Sequence, residues 1–216
     1  PPGEIVEAID RDGAYVGSGF YNPRSQIGLR LLSQDPQRPV SDDLLEARIR
    51  EAIFFRRGVL GLDAVTEAYR LIHAEGDGLS GLIVDRFGPF VVIELFSAGW
   101  FRLLKPLMRW LKEAVEEGDA DDQPPVTVLV RADEEIESIE GFHVRDFVAE
   151  RLSDDELTTV IQEGPARFQV DLRRGHKTGF FCDQRDNRTI VSEYAPGARV
   201  LDLFCYTGGF GIRAAL

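Results

Sequence analysis

Cysteine is scarce in this 216-residue chain: only Cys182 and Cys205 occur, 23 positions apart, alongside three histidines. No metal-ligand spacing links them, which argues against both a zinc site and a disulfide framework. No apolar run approaches the roughly 20 residues of a membrane helix, and no basic-then-apolar leader opens the chain, so the expected location is the cytoplasm. Repeats and low-complexity stretches are absent. So is the pattern G-x-x-x-x-G-K-[ST], which excludes a P-loop nucleotide site. Basic side chains are also outnumbered, 25 against 37, for a net charge of −12. That balance alone weighs against a nucleic-acid partner. Its distribution reverses the inference, because residues 1–57 carry −1, residues 58–165 carry −14 and residues 166–216 carry +3. A local surface decides whether RNA docks, not the total.

With 44% hydrophobic residues the chain can bury real cores. Residues 4–32 alternate apolar and polar positions in three runs, EIVEAID, AYVGSGFY and QIGLRLL. They predict antiparallel strands, too few to bury a core alone. After the proline-bearing linker at 34–40, Ser41 is placed to cap a helix with Leu45, Ile49, Ala52 and Ile53 on one face. The strands EAYRLIHAE, GLIVDRF and FVVIELF follow, then a helix through Leu104, Leu107, Met108, Leu111 and Val115, then the strand VTVLVRA. The acidic stretches 113–122 and 133–140 read as solvated faces. From Gly164-Pro165 onward the pattern predicts a strand ARFQVDL, a helix over 183–193 with Asp183 as N-cap, and a short apolar strand at 200–204. Three units result: 1–33, 41–163 and 164–216. The fold class is α/β overall, with an all-β first piece, an α+β middle and the opening of a doubly wound parallel sheet.

Chemistry concentrates near the end. Residues 200–216, VLDLFCYTGGFGIRAAL, describe a strand, a glycine turn and a helix start. Glycines there let the backbone approach a ligand. Gly209 to Ala214 formally fits the dinucleotide pattern G-x-G-x-x-G/A, but Cys205, Tyr206 and Thr207 separate the strand from the glycines. That spacing suits a cofactor without a pyrophosphate, carrying an amino-acid moiety, as S-adenosylmethionine does. A second stretch, 175–188, packs a Lys-Thr-Gly turn, two phenylalanines and a polar helix start together. Two readings stand: Phe180 and Phe181 are core, or they wall a cofactor pocket.

KTGFFCDQRDNR followed by RVLDLFCYTGGFGIRAA resembles the paired signature of class I S-adenosylmethionine-dependent ribosomal-RNA methyltransferases, and specifically the large-subunit RNA cytosine-5 enzymes with an N-terminal PUA domain. GSGFYNPRSQIGLRLL resembles the closing strands of that PUA β-barrel, and EAYRLIHAEGDGLSGLIVDRFG the start of the central domain. The resemblance implies a Rossmann-like methyltransferase domain of which the first strand, loop and helix are represented, and a chain cut at both ends and inactive by itself. It implies cofactor contacts from Lys177, Thr178, Phe180, Phe181, Asp183, Gln184, Arg185, Arg188, Asp202, Phe204, Tyr206, Thr207, Gly208 and Gly209. RNA contacts are expected from Arg11, Tyr21, Arg24 and Arg30, with Asn22-Pro23-Arg24-Ser25 as a rigid turn presenting donors.

The catalytic cysteine of that family attacks C6 of the target cytosine to activate C5. It is expected beyond Leu216, so no catalytic residue is assigned here, and Cys182 and Cys205 read as small wall residues. Implied partners are ribosomal RNA and a second copy of the chain, with no metal and no membrane. Three other readings remain open: a guanine or small-molecule methyltransferase of the same fold, a nicotinamide oxidoreductase, and a non-catalytic RNA-binding protein.

Overall fold

Residues 1–119, 124–144, 153, 156–175 and 177–216 are described by the computed structural model. The first piece is a meander of β1 (Glu4–Ile9), β2 (Tyr15–Tyr21) and β3 (Leu29–Ser33), antiparallel throughout. It buries its apolar surface against the middle of the chain. Phe20 stands edge-on to Trp100 at 5.2 Å. A Cβ on Gly99 would fall 2.1 Å from the Phe20 ring, so glycine is required for this approach.

Helix α1 (Asp42–Phe54) starts where Ser41 Oγ accepts from Leu44 N at 3.3 Å, and it runs on into one π-helical turn, 55–59. A four-stranded sheet follows in the order β4 (Ala68–His73), β5 (Leu82–Phe87), β6 (Phe90–Leu95), β7 (Thr127–Arg131). The first three strands are antiparallel neighbours. β7 lies parallel to β6, reached through α2 (Ala98–Arg102) and α3 (Leu104–Glu116). One face packs Tyr69, Val84, Ile93 and Val130 under Leu45, Ile49, Leu107 and Leu111 of the helices. The other face meets a hairpin of β8 (Thr158–Glu163) and β9 (Ala166–Asp171), which contributes Ile161, Phe168 and Val170 to a second core with Phe87, Val92 and Leu129. Gly164-Pro165 forms the turn of this hairpin.

Three expectations need correction. Residues 200–204 form no strand. Leu201, Leu203 and Phe204 are exposed, Phe204 completely, because no described strand lies alongside to take their hydrogen bonds and side chains. The acidic stretches are not simply solvated. The Asp119 side chain is only 8% exposed, held between Arg57 Nη2 at 2.6 Å and Arg86 Nη1 at 2.9 Å, and Glu137 and Glu140 of α4 (Glu134–Glu140) are buried. Residues 120–122 of the first stretch lie outside the described residues. Asp183 caps no helix: α5 (Arg185–Glu193) begins after a 3-10 turn at Cys182–Gln184, with no side-chain cap.

Candidate functional site

The carboxylate of Asp171, ending β9, accepts from the amides of Arg173 and Arg174, each at 2.8 Å, and bends the chain back over the sheet. Lys177 follows at φ 56°, a left-handed conformation uncommon for a side chain with Cβ, and Gly179 at φ 142°. Thr178 between them is fully buried, its hydroxyl donating to Asp85 Oδ2 at 2.5 Å.

Neither reading of the phenylalanine pair holds for both rings. Phe180 is core, 5.0 Å from the Phe168 ring and 4.7 Å from the Arg188 guanidinium. Phe181 stays half-buried at the surface, and Lys177 Nζ sits 4.6 Å above its ring while pairing with Asp183 at 3.0 Å. Burial alone would raise the Asp183 carboxyl, but the Lys177 ammonium holds it below its usual range.

The glycine loop comes up against this segment. Tyr206 meets Phe181 edge-on at 5.3 Å and its hydroxyl donates to Gly179 O at 3.3 Å. Phe204, Tyr206 and Gly208 all have positive φ, at 59°, 50° and 71°. Two strained aromatic residues in one five-residue loop are the kind of outlier that collects at ligand sites. Helix α6 (Gly209–Ala215) then begins, and Asp202 Oδ2 accepts from Gly211 N at 2.9 Å. A Cβ on Gly209 would lie 2.9 Å from Arg188 Cδ, so the first turn of α6 rests on that side chain.

The structure thus brings Lys177, Phe181, Asp183 and Tyr206 together; Phe204 is exposed, and Asp202, Thr207 and Gly208 are half-buried. Gln184 and Arg185 sit at the start of α5, where Gln184 Oε1 accepts from Asn187 and Arg185 pairs with Asp186. Thr178, Phe180 and Arg188 are not available to a ligand. Arg188 is committed to Glu163 through two hydrogen bonds, 2.7 and 2.6 Å, in the interior. Cys182 is buried, and burial, seconded by Asp85, pushes its thiol well above the ordinary range, the opposite of what a nucleophile needs. His176 lies outside the described residues.

Among the RNA-contact residues, Arg11, Tyr21 and Arg24 are exposed. Arg30 is corrected: it donates to Phe96 O at 3.1 Å, approaches Glu75 at 3.8 Å and is mostly covered. Asn22 also turns inward, bonding Glu140, so the expected donor turn presents Arg24 without it.

Residues 139–216 and 1–34 each match a protein-family model. The first is that of S-adenosylmethionine-dependent methyltransferases. The second is a PUA-like domain. The methyltransferase match covers both segments of the site just described. Along nearly its whole length the chain is similar to proteins named ribosomal RNA large subunit methyltransferase I. That of Photobacterium profundum is 37% identical over 212 residues, 98% of this chain and 51% of the relative. That of Aeromonas hydrophila is 34% identical over the same shares. The chain therefore spans about half the length of these relatives. Two solved structures share the fold, each aligned over all of this chain and 52% of its own. One, from Streptococcus mutans and described as a SAM-dependent methyltransferase, gives a TM-score of 0.75 at 19% identity. The other, a methyltransferase complexed with SAH, gives 0.77 at 20%. Among the described residues no helix is long and apolar enough to cross a membrane, and no group of side chains is arranged to hold a metal ion.

Sequence reasoning missed the residues beneath the methyltransferase-like segment. Asp85, an acid inside the apolar strand GLIVDRF, was the visible signal. Its neighbours on the same sheet face are Arg70, which bonds it at 2.9 and 3.1 Å, and the register pair Glu94 and Arg131. Glu94 borders a cavity of about 340 Å³ shared with Arg131, Arg174 and Lys177. Burial raises its carboxyl above the ordinary value of 4.5, against the opposing pull of Arg131. The unfolded chain therefore carries the charge more readily. This penalty on the fold is full above the raised folded pKa, fades as pH falls from there towards the unfolded pKa, and is absent below it. Glu94→Gln is expected to melt higher than the parent at neutral pH, with the gap closing towards about pH 4. Equal melting temperatures across that range would show that the charge is not penalised.

Proposed function

We propose that the chain is the PUA-bearing half of an S-adenosylmethionine-dependent enzyme that methylates C5 of a cytosine in large-subunit ribosomal RNA, in the cytoplasm. The observation that carries the reading is the junction of the two signature segments, where Phe181 and Tyr206 meet edge to face beside the strained loop 204–208. The organisation proposed is a PUA-like unit at 1–33, completing a β-barrel, a central α+β unit at 41–163, and the opening of a Rossmann-like methyltransferase domain at 164–216.

The residues suit the cofactor's chemistry. The exposed ring of Phe204 offers surface to an adenine, with Tyr206 nearby in the same loop, and Lys177, Asp183 and the carboxylate of Asp202 offer charged partners to ribose hydroxyls and an amino-acid moiety. When bound, the cofactor supplies an electrophilic methyl group. The chain's part is to seat it: Asp202 fixes the first turn of α6, and Tyr206 ties the glycine loop to Gly179. The same Asp202 contact disfavours a dinucleotide, because a carboxylate 2.9 Å from Gly211 N occupies the donor a pyrophosphate would use. Exposed Arg11, Arg24 and Tyr21 are proposed to meet RNA phosphate and base.

The test is transfer of labelled methyl from S-adenosylmethionine to unmodified large-subunit RNA by the full-length protein encoded by the gene, with the product base identified. Label in 5-methylcytosine is the expected result. Label in guanine, or none in RNA, would overturn the reading. Tyr206→Ala is expected to weaken S-adenosylhomocysteine binding about 2- to 10-fold, the worth of one aromatic contact, measured by titration calorimetry.

A further inference from the structure

The face of the central sheet that looks towards the methyltransferase-like segment is apolar under the β8–β9 hairpin and charged beyond it. Ala68, Phe87, Val92 and Leu129 lie in the second core. Two or more positions along the same strands, on the same side, stand Arg70, Asp85, Glu94 and Arg131. Asp85 is buried and the other three are partly covered, and a buried charge is costly unless it is bonded. Asp85 is paired with Arg70, and Asp85 and Arg131 both bond residues of the segment after β9. Arg131 donates to Leu172 O at 3.3 Å and to Gly175 O at 3.2 Å. Asp85, 1% exposed and gripped by Arg70, accepts from the Thr178 hydroxyl. Leu172, Gly175 and Thr178 are thus gripped, and Lys177, next to Thr178, lies in the left-handed region. A non-glycine residue stays there only when its surroundings over-determine it.

We propose that Asp85, with Arg70 and Arg131, is a positioning group for the cofactor: the central unit acts as the mould that sets the Lys-Thr-Gly turn, and so decides where Lys177 and Phe181 stand. Asp85 is buried beneath the turn, and Arg70 and Arg131 grip it from the sheet. They act through the turn. The inference rests on the functional reading above for what the turn is positioned to bind, but the clamp itself has an independent signature in the backbone.

The experiment uses Thr178→Val, which removes the hydroxyl with little change of volume, and Thr178→Ser, which keeps it. Asp85→Asn joins them as the partner variant. In the full-length protein, affinity for S-adenosylhomocysteine is measured by calorimetry, and amide exchange is followed by mass spectrometry across peptides spanning 172–183. Thr178→Val and Asp85→Asn are each expected to weaken binding by about tenfold, the size of one lost hydrogen bond to a charged group. The double variant should be little worse than either, since both break one link. Exchange at 175–181 should rise, and Thr178→Ser should restore both readouts. A merely structural Thr178 would lower the melting temperature without a selective change in this peptide. If the parent binds and Thr178→Val binds equally well, the positioning role is overturned. If the parent does not bind the cofactor product at all, the functional reading falls; selective loosening of 175–181 in Thr178→Val would then still support the clamp, and unchanged exchange would overturn it.

Discussion

Glu163→Ala is expected to destabilise the protein by about 3–5 kcal/mol, the usual consequence of stranding one member of a buried ion pair. Both side chains of the Glu163–Arg188 pair are only 3% exposed, and the contact is bidentate at 2.7 and 2.6 Å. Coulomb attraction in the interior roughly offsets the desolvation of the two charges while both are present. Removing the carboxylate leaves the guanidinium with Phe181 O at 3.1 Å and the Phe180 and Phe168 rings. For a protein of this size the loss corresponds to a fall in melting temperature on the order of 10 °C. Glu163→Gln keeps one good acceptor and should lose less. Replacing both residues by leucine or methionine of similar volume should come close to the parent, because the desolvation cost disappears with the attraction. Because Arg188 also supports Gly209, cofactor-product affinity should fall in Glu163→Ala even well below its melting temperature. Urea denaturation decides the matter: a Glu163→Ala protein within about 1 kcal/mol of the parent would mean that Arg188 finds another anion or reaches water.

The same pair illustrates what the sequence could and could not convey. Periodicity located Leu45, Ile49 and Leu111 correctly because apolar burial depends on each residue's own chemistry and spacing. It located Ser41 as a cap because capping is local. The two signature segments were legible as neighbours from their resemblance to a family, and Tyr206 does reach Phe181. Arg188, Arg30 and Asp119 were misjudged because a charge's fate depends on a partner distant in sequence: Glu163 is 25 residues from Arg188, and Phe96 is 66 from Arg30. β8 went unread because TTVIQE has only two apolar residues, the adjacent Val160 and Ile161, and so no alternating pattern; it becomes a strand by pairing with β9. The expected strand at 200–204 failed for the complementary reason. Its apolar run has high strand propensity, but a parallel strand needs neighbours on both edges and layers on both faces, and Leu201 and Phe204 have neither among the described residues.

The joint between the β1–β3 meander and the rest of the chain makes the second large prediction. Glu140, the last residue of α4, is 2% exposed, and its Oε2 accepts from Asn22 Nδ2 at 2.8 Å and from Ala98 N at 3.0 Å. Its backbone carbonyl takes the same Asn22 amide at 3.0 Å. One carboxylate therefore joins the turn after β2, the start of α2 and the end of α4. Among the described residues no lysine or arginine pairs with it, so the amide donors and the N-terminal end of α2 carry its charge. Glu140→Ala leaves two buried donors short of an acceptor and opens a void, for an expected loss of about 2–4 kcal/mol. Glu140→Gln preserves the shape and one acceptor, and should lose about 1–2 kcal/mol. Asn22→Ala removes only one of the donors, so Glu140→Ala and Asn22→Ala should be strongly non-additive in a double-mutant cycle. The consequence extends to RNA, because Arg24 and Tyr21 ride on the turn that Asn22 anchors. Glu140→Ala should weaken RNA binding more than it weakens cofactor binding, whereas Glu163→Ala should do the reverse. Equal losses in both assays for both variants would indicate global unfolding, and the separate mechanical roles assigned to the two carboxylates would fall.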